Sequence, residues 1–392
     1  MKPVVLFVDD NENILQGLRR NLRSARNEWD LLFAAGGAEA LKTMDGTRVD
    51  VVVSDIRMPG MDGVALLTEA SKKHGHAVRI VLSGQCEDKD VAQLLEVSHQ
   101  YMAKPMDTDA LVAAIKPILS ARDTLQDQEL KSFLTGVSSL PSLPLLYAEI
   151  SAALRADHPS TQTVEQLLLR DISLVAKIFQ ILNSSYFGSG GDINTVSYVW
   201  ESLGVERLKA LFTEGRIAAP LDKSLENDPF ITGLWRFSLM TARIARLIAK
   251  AENLPQKSCD KAWVAGLLHA IGAVALYEYR RKKSGTPECA DLLDAAKPAD
   301  SYVDAGMFLS TLWGLPQDIR HIIRWHAEPL RADDSCGACD KSILAIVHAA
   351  RAYAMAKTYP PATEKEYLRG DFLETAGYAA READWRAIAD RI

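Results

Sequence analysis

A chain of 392 residues has room for two or three domains, each with its own core. Hydrophobic content of 48% and charged content of 24% are those of an ordinary soluble globular protein. The net charge of −6 is spread evenly, with 14 basic against 17 acidic residues over 1–120 and 31 against 34 beyond; this excludes a strongly basic nucleic-acid-binding domain, though not a local patch.

The start, "VVLFVDD", has no basic stretch leading into an apolar segment and a small-residue cleavage site, so no secretory signal is expected. No apolar run approaches the ~20 residues a bilayer span requires. The twelve residues "AGLLHAIGAVAL" (265–276) fit a buried core helix better. Five cysteines, an odd number, suggest reduced thiols and a cytoplasmic location. Cys336 and Cys339 form a lone CxxC; a zinc ribbon needs a second pair, and a redox CxxC usually opens a helix after a strand whereas this one follows "RADDS" in a polar loop, so neither is expected.

Residues 1–120 alternate β-branched runs with amphipathic segments: "VVLFV" (4–8), "LLFAA" (31–35), "VDVVVS" (49–54), "VRIVLS" (78–83) and "YMA" (101–103). Five β-then-α units predict a parallel, doubly wound, flavodoxin-like sheet covered on both faces. In such sheets functional groups gather at the carboxyl ends of the strands. Asp9 and Asp10 end the first strand, Asp55 the third, Ser83 the fourth and Lys104 the fifth. Three carboxylates at one rim repel each other unless a cation joins them, and a hard divalent ion such as Mg²⁺ suits them. A carboxylate beside Mg²⁺ and a lysine is placed to attack a phosphoryl donor.

The motifs "VDDNE", "SDIRMPGMDG", "LSG" and "YMAKP" resemble the receiver domain of two-component response regulators, over about 120 residues and in the family's order. The resemblance implies phosphorylation by a sensor histidine kinase. Asp55 would be the phosphoacceptor, and Asp10 and Asp55 metal ligands with Asp9 assisting. The Arg57 backbone carbonyl would complete the metal site, Ser83 and Lys104 would contact the phosphoryl group, and Tyr101 would be the switch aromatic.

Residues 107–135 read as one helix leaving this domain, with Pro117 expected to kink or interrupt it. Leu111, Ile118 and Leu125 repeat at seven. The segment 121–137 fits a helical signalling connector, with homodimerisation through it or the last receiver helix as one reading and a passive solvated helix as the other.

From 138 to 392 the period becomes 3.6 and strand signals vanish, which predicts an all-α domain with a helical C-terminal extension. Ser142 is expected to start a helix, and further helices are expected at 162–171, 173–183, 194–201, 204–218, 230–252, 258–280, 301–313, 316–326 and 340–358, with 187–194 a loop. The stretches "LPSLP" (140–144), "RDISLVAKIFQILNSSYFG" (170–188), "INTVSYVWESLGVERLKAL" (193–211), "LWRFSLMTARIARLIA" (234–249), "AGLLHAIG" (265–272) and "GLPQDIRHIIRWH" (314–326) resemble the HDOD domain, an output module related to HD phosphohydrolases. The resemblance implies a signalling or interaction role.

Against the HD pattern, Phe237 stands where the first His would fall and Ala270 where the paired Asp would fall. Neither side chain can coordinate a metal. His269 therefore reads as a core histidine, with a rearranged site of His269, His326 and His348 as the competing reading. His321, five residues from His326, reads as surface or partner-facing. His74, His76, His99 and His158 carry no evident signal, and Trp200, Trp235, Trp263, Trp313 and Trp325 read as core or helix-interface residues. There is no Gly-Tyr-Pro signature of cyclic-dinucleotide phosphodiesterases.

The expected function is a phosphorylation-controlled switch whose non-catalytic HDOD domain acts on a protein partner, without membrane or nucleic acid. The alternatives are a metal-dependent phosphohydrolase or cyclic-dinucleotide phosphodiesterase, and a nucleotide sensor without hydrolysis.

Overall fold

The structure is a computed structural model that describes residues 2–84, 94, 96–105, 107–183, 198–213, 217, 219–220, 228–285, 291–295, 299–332, 341–360 and 362–392. Cys336, Cys339 and the loop expected at 187–194 lie outside these residues, as do residues 194–197 of an expected helix.

The first unit is built from β1 (Val4–Val8), α1 (Glu12–Asn21), β2 (Asp30–Ala34), α2 (Gly37–Gly46), β3 (Val51–Asp55), α3 (Gly63–Lys73), β4 (Val78–Ser83) and β5 (Gln100–Ala103). All strand pairs are parallel, in the order β2-β1-β3-β4-β5, the doubly wound flavodoxin-like arrangement. Alternation along each strand gives the sheet two buried faces. Leu6, Val8, Val52 and Val81 pack with α2 and α3 in one cluster. Val5, Phe7, Val51, Val53, Val78 and Ile80 face the other way and join a cluster that continues into the helical unit.

The bridge between the units is α4 (Thr108–Asp123) and α5 (Gln128–Gly136). The single helix expected over 107–135 is thus two. Pro117 does not break it but lies inside α4. The interruption comes at 124–127, where the Asp127 side chain accepts from the N–H groups of Glu129 and Leu130 and starts α5. Leu111, Ile118 and Leu125 are all buried within the chain's own core, so their seven-residue repeat is not a free dimer seam.

The helical unit contains α6 (Pro144–Arg155), α7 (Thr161–Leu168), α8 (Ile172–Leu182), α9 (Tyr198–Ser202), α10 (Gly204–Thr213), α11 (Pro229–Ala251), α12 (Gln256–Leu268), α13 (Ile271–Ser284), α14 (Tyr302–Leu312), α15 (Gln317–Trp325), α16 (Lys341–Thr358), α17 (Glu364–Tyr367), α18 (Gly370–Thr375) and α19 (Glu382–Asp390). A two-residue parallel ladder, β6 (Pro141–Ser142) with β7 (Ala219–Pro220), departs from the expected absence of strands. Ser142 lies in that ladder and hydrogen-bonds to Asp171 instead of starting α6, which begins at Pro144.

The helix expected at 258–280 is divided at His269 and Ala270. Ala270 is the N-cap of α13 and has no side chain with which to cap it. By length and composition 256–284 could cross a membrane, but 83% of its most apolar 18-residue window is buried inside the protein. The neighbouring crossings are tight. A Cβ on Gly266 would lie 2.9 Å from the Ala242 Cα, and one on Gly272 would lie 1.9 Å from the Tyr302 carbonyl oxygen. These glycines let α12 approach α11 and α13 approach α14 backbone to backbone.

Candidate functional site

The carboxyl ends of β1, β3 and β5 bring the expected acidic rim together. Asp9, Asp10 and Asp55 each offer a ligand oxygen within 4.8 Å of the others. Asp9 is buried, Asp55 half-buried and Asp10 exposed. The Lys104 Nζ lies 2.7 Å from Asp9 Oδ2 and 3.0 Å from Asp55 Oδ2. Burial works against its ammonium, but the hydrogen bonds to Asp9 and Asp55 outweigh that and raise its pKa. One lysine against three carboxylates leaves the rim formally two charges negative, which suits a hard divalent cation.

The sequence "MPGMDG" folds the loop back onto this rim. Gly60 takes a φ of +77°, and the Asp62 side chain accepts from Ala65 N–H to start α3. Gly63 N–H bonds to the Ile56 carbonyl at 2.8 Å. A Cβ on Gly63 would sit 2.1 Å from the Asp55 carbonyl oxygen, so only glycine permits this return. Asp10, Arg57 and Asp62 line the resulting cleft. Ser83 ends β4 opposite Ala103 in the ladder; its side chain lies outside the described residues. Tyr101 is half-buried against the α2–α3 side of the sheet.

The histidines expected in the helical unit form a second cluster. His269, His326 and His348 are all completely buried. Each donates its Nδ1–H to a backbone carbonyl: His269 to Gly266 at 2.7 Å, His326 to Ile323 at 2.8 Å, His348 to His326 at 2.7 Å. Their Nε2 atoms diverge in role. That of His326 accepts from the Tyr302 hydroxyl at 2.8 Å, and that of His348 accepts from the Arg369 N–H at 2.8 Å. Burial pushes the imidazole of His269 down to about 3 and of His348 to about 4, and lowers His326 well below the ordinary value.

Phe237 packs edge-on against His269 at 4.8 Å between ring centres, and His269 packs edge-on against His326 at 5.0 Å. Among the described residues, no three His, Cys, Asp or Glu side chains of this unit converge on one point as the acidic rim does. His321, expected at the surface, is buried, because α15 packs against α12, α14 and α16. Trp235 and Trp313 are buried, and Trp200, Trp263 and Trp325 pack against the same core.

Sequence reading missed the contact that joins the units. His99, just before β5, is completely buried. Its Nδ1 accepts from the Arg79 N–H at 2.9 Å, and its Nε2 donates to the Thr135 carbonyl in α5 at 2.7 Å. Its own carbonyl accepts from the Gln180 side chain of α8 at 2.8 Å. The next residue, Gln100, donates to the Thr311 carbonyl of α14 at 3.0 Å. Asp300 accepts from the N–H groups of Gln126 and Asp127 between α4 and α5. No local motif signals these residues, since their partners lie tens to hundreds of positions away.

Comparison with known proteins agrees with this layout. The response regulator receiver domain family matches residues 5–116, and the HDOD domain family matches residues 140–329. Transcriptional regulatory protein PrrA of Mycobacterium leprae is 37% identical over 121 residues, 31% of this chain and 51% of that protein. Sensor kinase CckA of Brucella abortus is 36% identical over 122 residues, 30% of this chain and 13% of that protein. DNA-binding transcriptional regulator NtrC of Escherichia coli K12 is 34% identical over 118 residues, 30% of this chain and 25% of that protein. The chain thus spans about half the length of PrrA and less of the other two. The solved signal receiver domain of an HD domain-containing protein from Pseudomonas fluorescens Pf-5 is 31% identical, covering 31% of this chain and 96% of that one, with a TM-score of 0.29. The chain joins a response regulator receiver domain, residues 5–116, to an HDOD domain, residues 140–329.

Proposed function

We propose that the chain is a phosphorylation-controlled switch in which the receiver (1–120) acts through α4, α5 and β5 on a non-catalytic HDOD domain (138–392), with 121–137 as the connector. The observation that carries this reading is the position of β5. At one end, Lys104 reaches Asp9 and Asp55. At the other, His99 and Gln100 bond to α5, α8 and α14. Six residues of chain, 99–104, thus touch both the acceptor and the output domain.

In this reading the phosphohistidine of a sensor histidine kinase supplies the phosphoryl group: an Asp55 carboxylate oxygen attacks phosphorus, the P–N bond breaks and the kinase imidazole leaves. The Lys104 ammonium, already at hydrogen-bond distance from Asp55, meets the charge that arrives. Asp10 and Asp55, with Asp9 and the Arg57 carbonyl beside them, would hold a Mg²⁺ ion, which would supply the remaining neutralisation. The new group adds about −1.5 to −2 charge. It draws Ser83 toward it and frees Tyr101 to turn inward, moving the strand whose other end holds the HDOD helices. The HDOD domain then exposes or covers a surface for a protein partner in the cytoplasm.

The HDOD domain is read as non-catalytic because Phe237 and Ala270 cannot coordinate a metal, and His269 packs between the Phe237 and His326 rings. The test uses the full chain, a small phosphodonor and Mg²⁺. Intact-mass spectrometry should show one added phosphate, absent in Asp55→Asn, and hydrogen exchange should rise at 99–103 and 177–183. Absence of the phosphate overturns the receiver half. Phosphate without any change in exchange overturns the relay.

A further inference from the structure

Arg351 on α16 is only 2% exposed, yet it forms no ion pair among the described residues. Its one hydrogen bond runs from Nε to the Tyr302 hydroxyl at 3.2 Å, and its guanidinium lies 5.4 Å from the centre of the Tyr367 ring. Lys104, Arg122, Lys261 and Arg324 each have a carboxylate partner, in Asp9, Asp50, Asp318 and Asp304. Arg79, 1% exposed and without an ion pair, instead directs its guanidinium to the Val97 and Ala77 carbonyls, whereas the terminal nitrogens of Arg351 meet no such acceptor among the described residues. A buried guanidinium without a counter-charge is costly unless something compensates it.

Arg351 lines a cavity of about 800 Å³, a volume suited to a small organic ligand. Phe230, Tyr359, Tyr367 and Met355 supply apolar and aromatic wall. Three of the four carboxylates at the cavity have partners: Asp291 with Arg280, Glu328 with Arg369 on the cavity wall, and Glu366 with Thr363. Asp291, Asp294, Glu328 and Glu366 outnumber Arg351 and Arg369, so the field around the cavity disfavours a polyanion.

We propose that this cavity binds a small aromatic organic anion of single charge, its anionic group on the terminal nitrogens of Arg351 and its ring against Tyr367 and Phe230. An aryl carboxylate and a cyclic nucleoside monophosphate share that chemistry, since each carries one negative charge and one planar ring system. A nucleoside triphosphate does not.

The test is calorimetric titration of the full chain with benzoate, 3′,5′-cyclic guanosine monophosphate, ATP and benzamide, alongside Arg351→Met. Expected is saturable binding of at least one of the first two at one per chain, with ATP and benzamide at least about tenfold weaker. Arg351→Met should lose that binding by about tenfold or more while its Tm stays equal or rises, because an uncompensated buried charge has been removed. No binding by either monoanion overturns the proposal. So does benzamide equal to benzoate, or affinity unchanged in Arg351→Met. The benzoate–benzamide pair is read on the unaltered chain and decides the question even if the variant fails to fold.

Discussion

The side-chain amide of Gln180 in the HDOD domain donates to the backbone carbonyl of His99 in the receiver across 2.8 Å, and both groups are buried. This bond ties α8 to the residue that precedes β5. Replacing Gln180 with Leu leaves that carbonyl without its donor and costs about 1–3 kcal/mol. The expected outcome is a lower urea midpoint, together with faster hydrogen exchange at 99–103 in the unphosphorylated protein. Exchange unchanged at those residues would mean that the bond does not hold the strand.

Acid should loosen the whole molecule. His99, His269, His326 and His348 are all buried, and burial lowers the pKa of each in the folded chain, helped at His99 by the charge of Arg79. Unfolded, each titrates near 6.5. The folded state therefore binds fewer protons, and stability is lost as pH falls below 6.5. Each histidine contributes up to about 2 kcal/mol of loss by pH 5. Urea unfolding at pH 7.5, 6.0 and 5.0 should show a steep fall below 6.5. His269→Phe should flatten that slope by roughly one histidine's share.

Lys104 is the only protein cation seen bonded to Asp9 and Asp55 among the described residues, so its removal should make the rim depend on added metal. Lys104→Ala is expected to lower Tm in EDTA and to recover more on Mg²⁺ addition than the unaltered chain does, because a ligand that binds only the folded state stabilises it. Equal recovery in both proteins would show that Lys104 and the metal do not share the same carboxylates.

Much of this architecture is legible locally. The β-branched runs announce strands because the sheet is covered on both faces, and the rim follows because topology sends Asp9, Asp10, Asp55 and Lys104 to one edge. Helical periodicity likewise finds α11, α14 and α16 within a residue or two. What stays hidden depends on distant partners. Arg79, His99 and Arg351 are single polar residues in or beside apolar runs, and only the folded chain brings Thr135, Gln180 or Tyr302 to them. Pro117 misleads because α4 packs against α14, and tertiary packing outweighs one missing backbone bond. The division of 258–280 is equally silent, because Ala270 has none of the polar side chains that mark a helix start.

The crossing of α13 and α14 gives the most severe expected substitution. Gly272 and Gly306 face each other there, and a Cβ on Gly272 would lie 1.9 Å from the Tyr302 carbonyl oxygen and 2.4 Å from the Gly306 nitrogen. All of these are main-chain atoms, so no side chain can swing away. Gly272→Ala must force the helices apart, disturbing the Tyr302–His326 hydrogen bond and the Thr311 carbonyl that receives Gln100. A loss of at least about 3 kcal/mol is expected, at the upper end for overpacking. Gly46→Ala, at a helix end with open space around it, serves as the control and should change stability by less than about 1 kcal/mol. Chemical denaturation of both variants measures the contrast, and a mild Gly272→Ala would mean that α13 and α14 do not cross this closely.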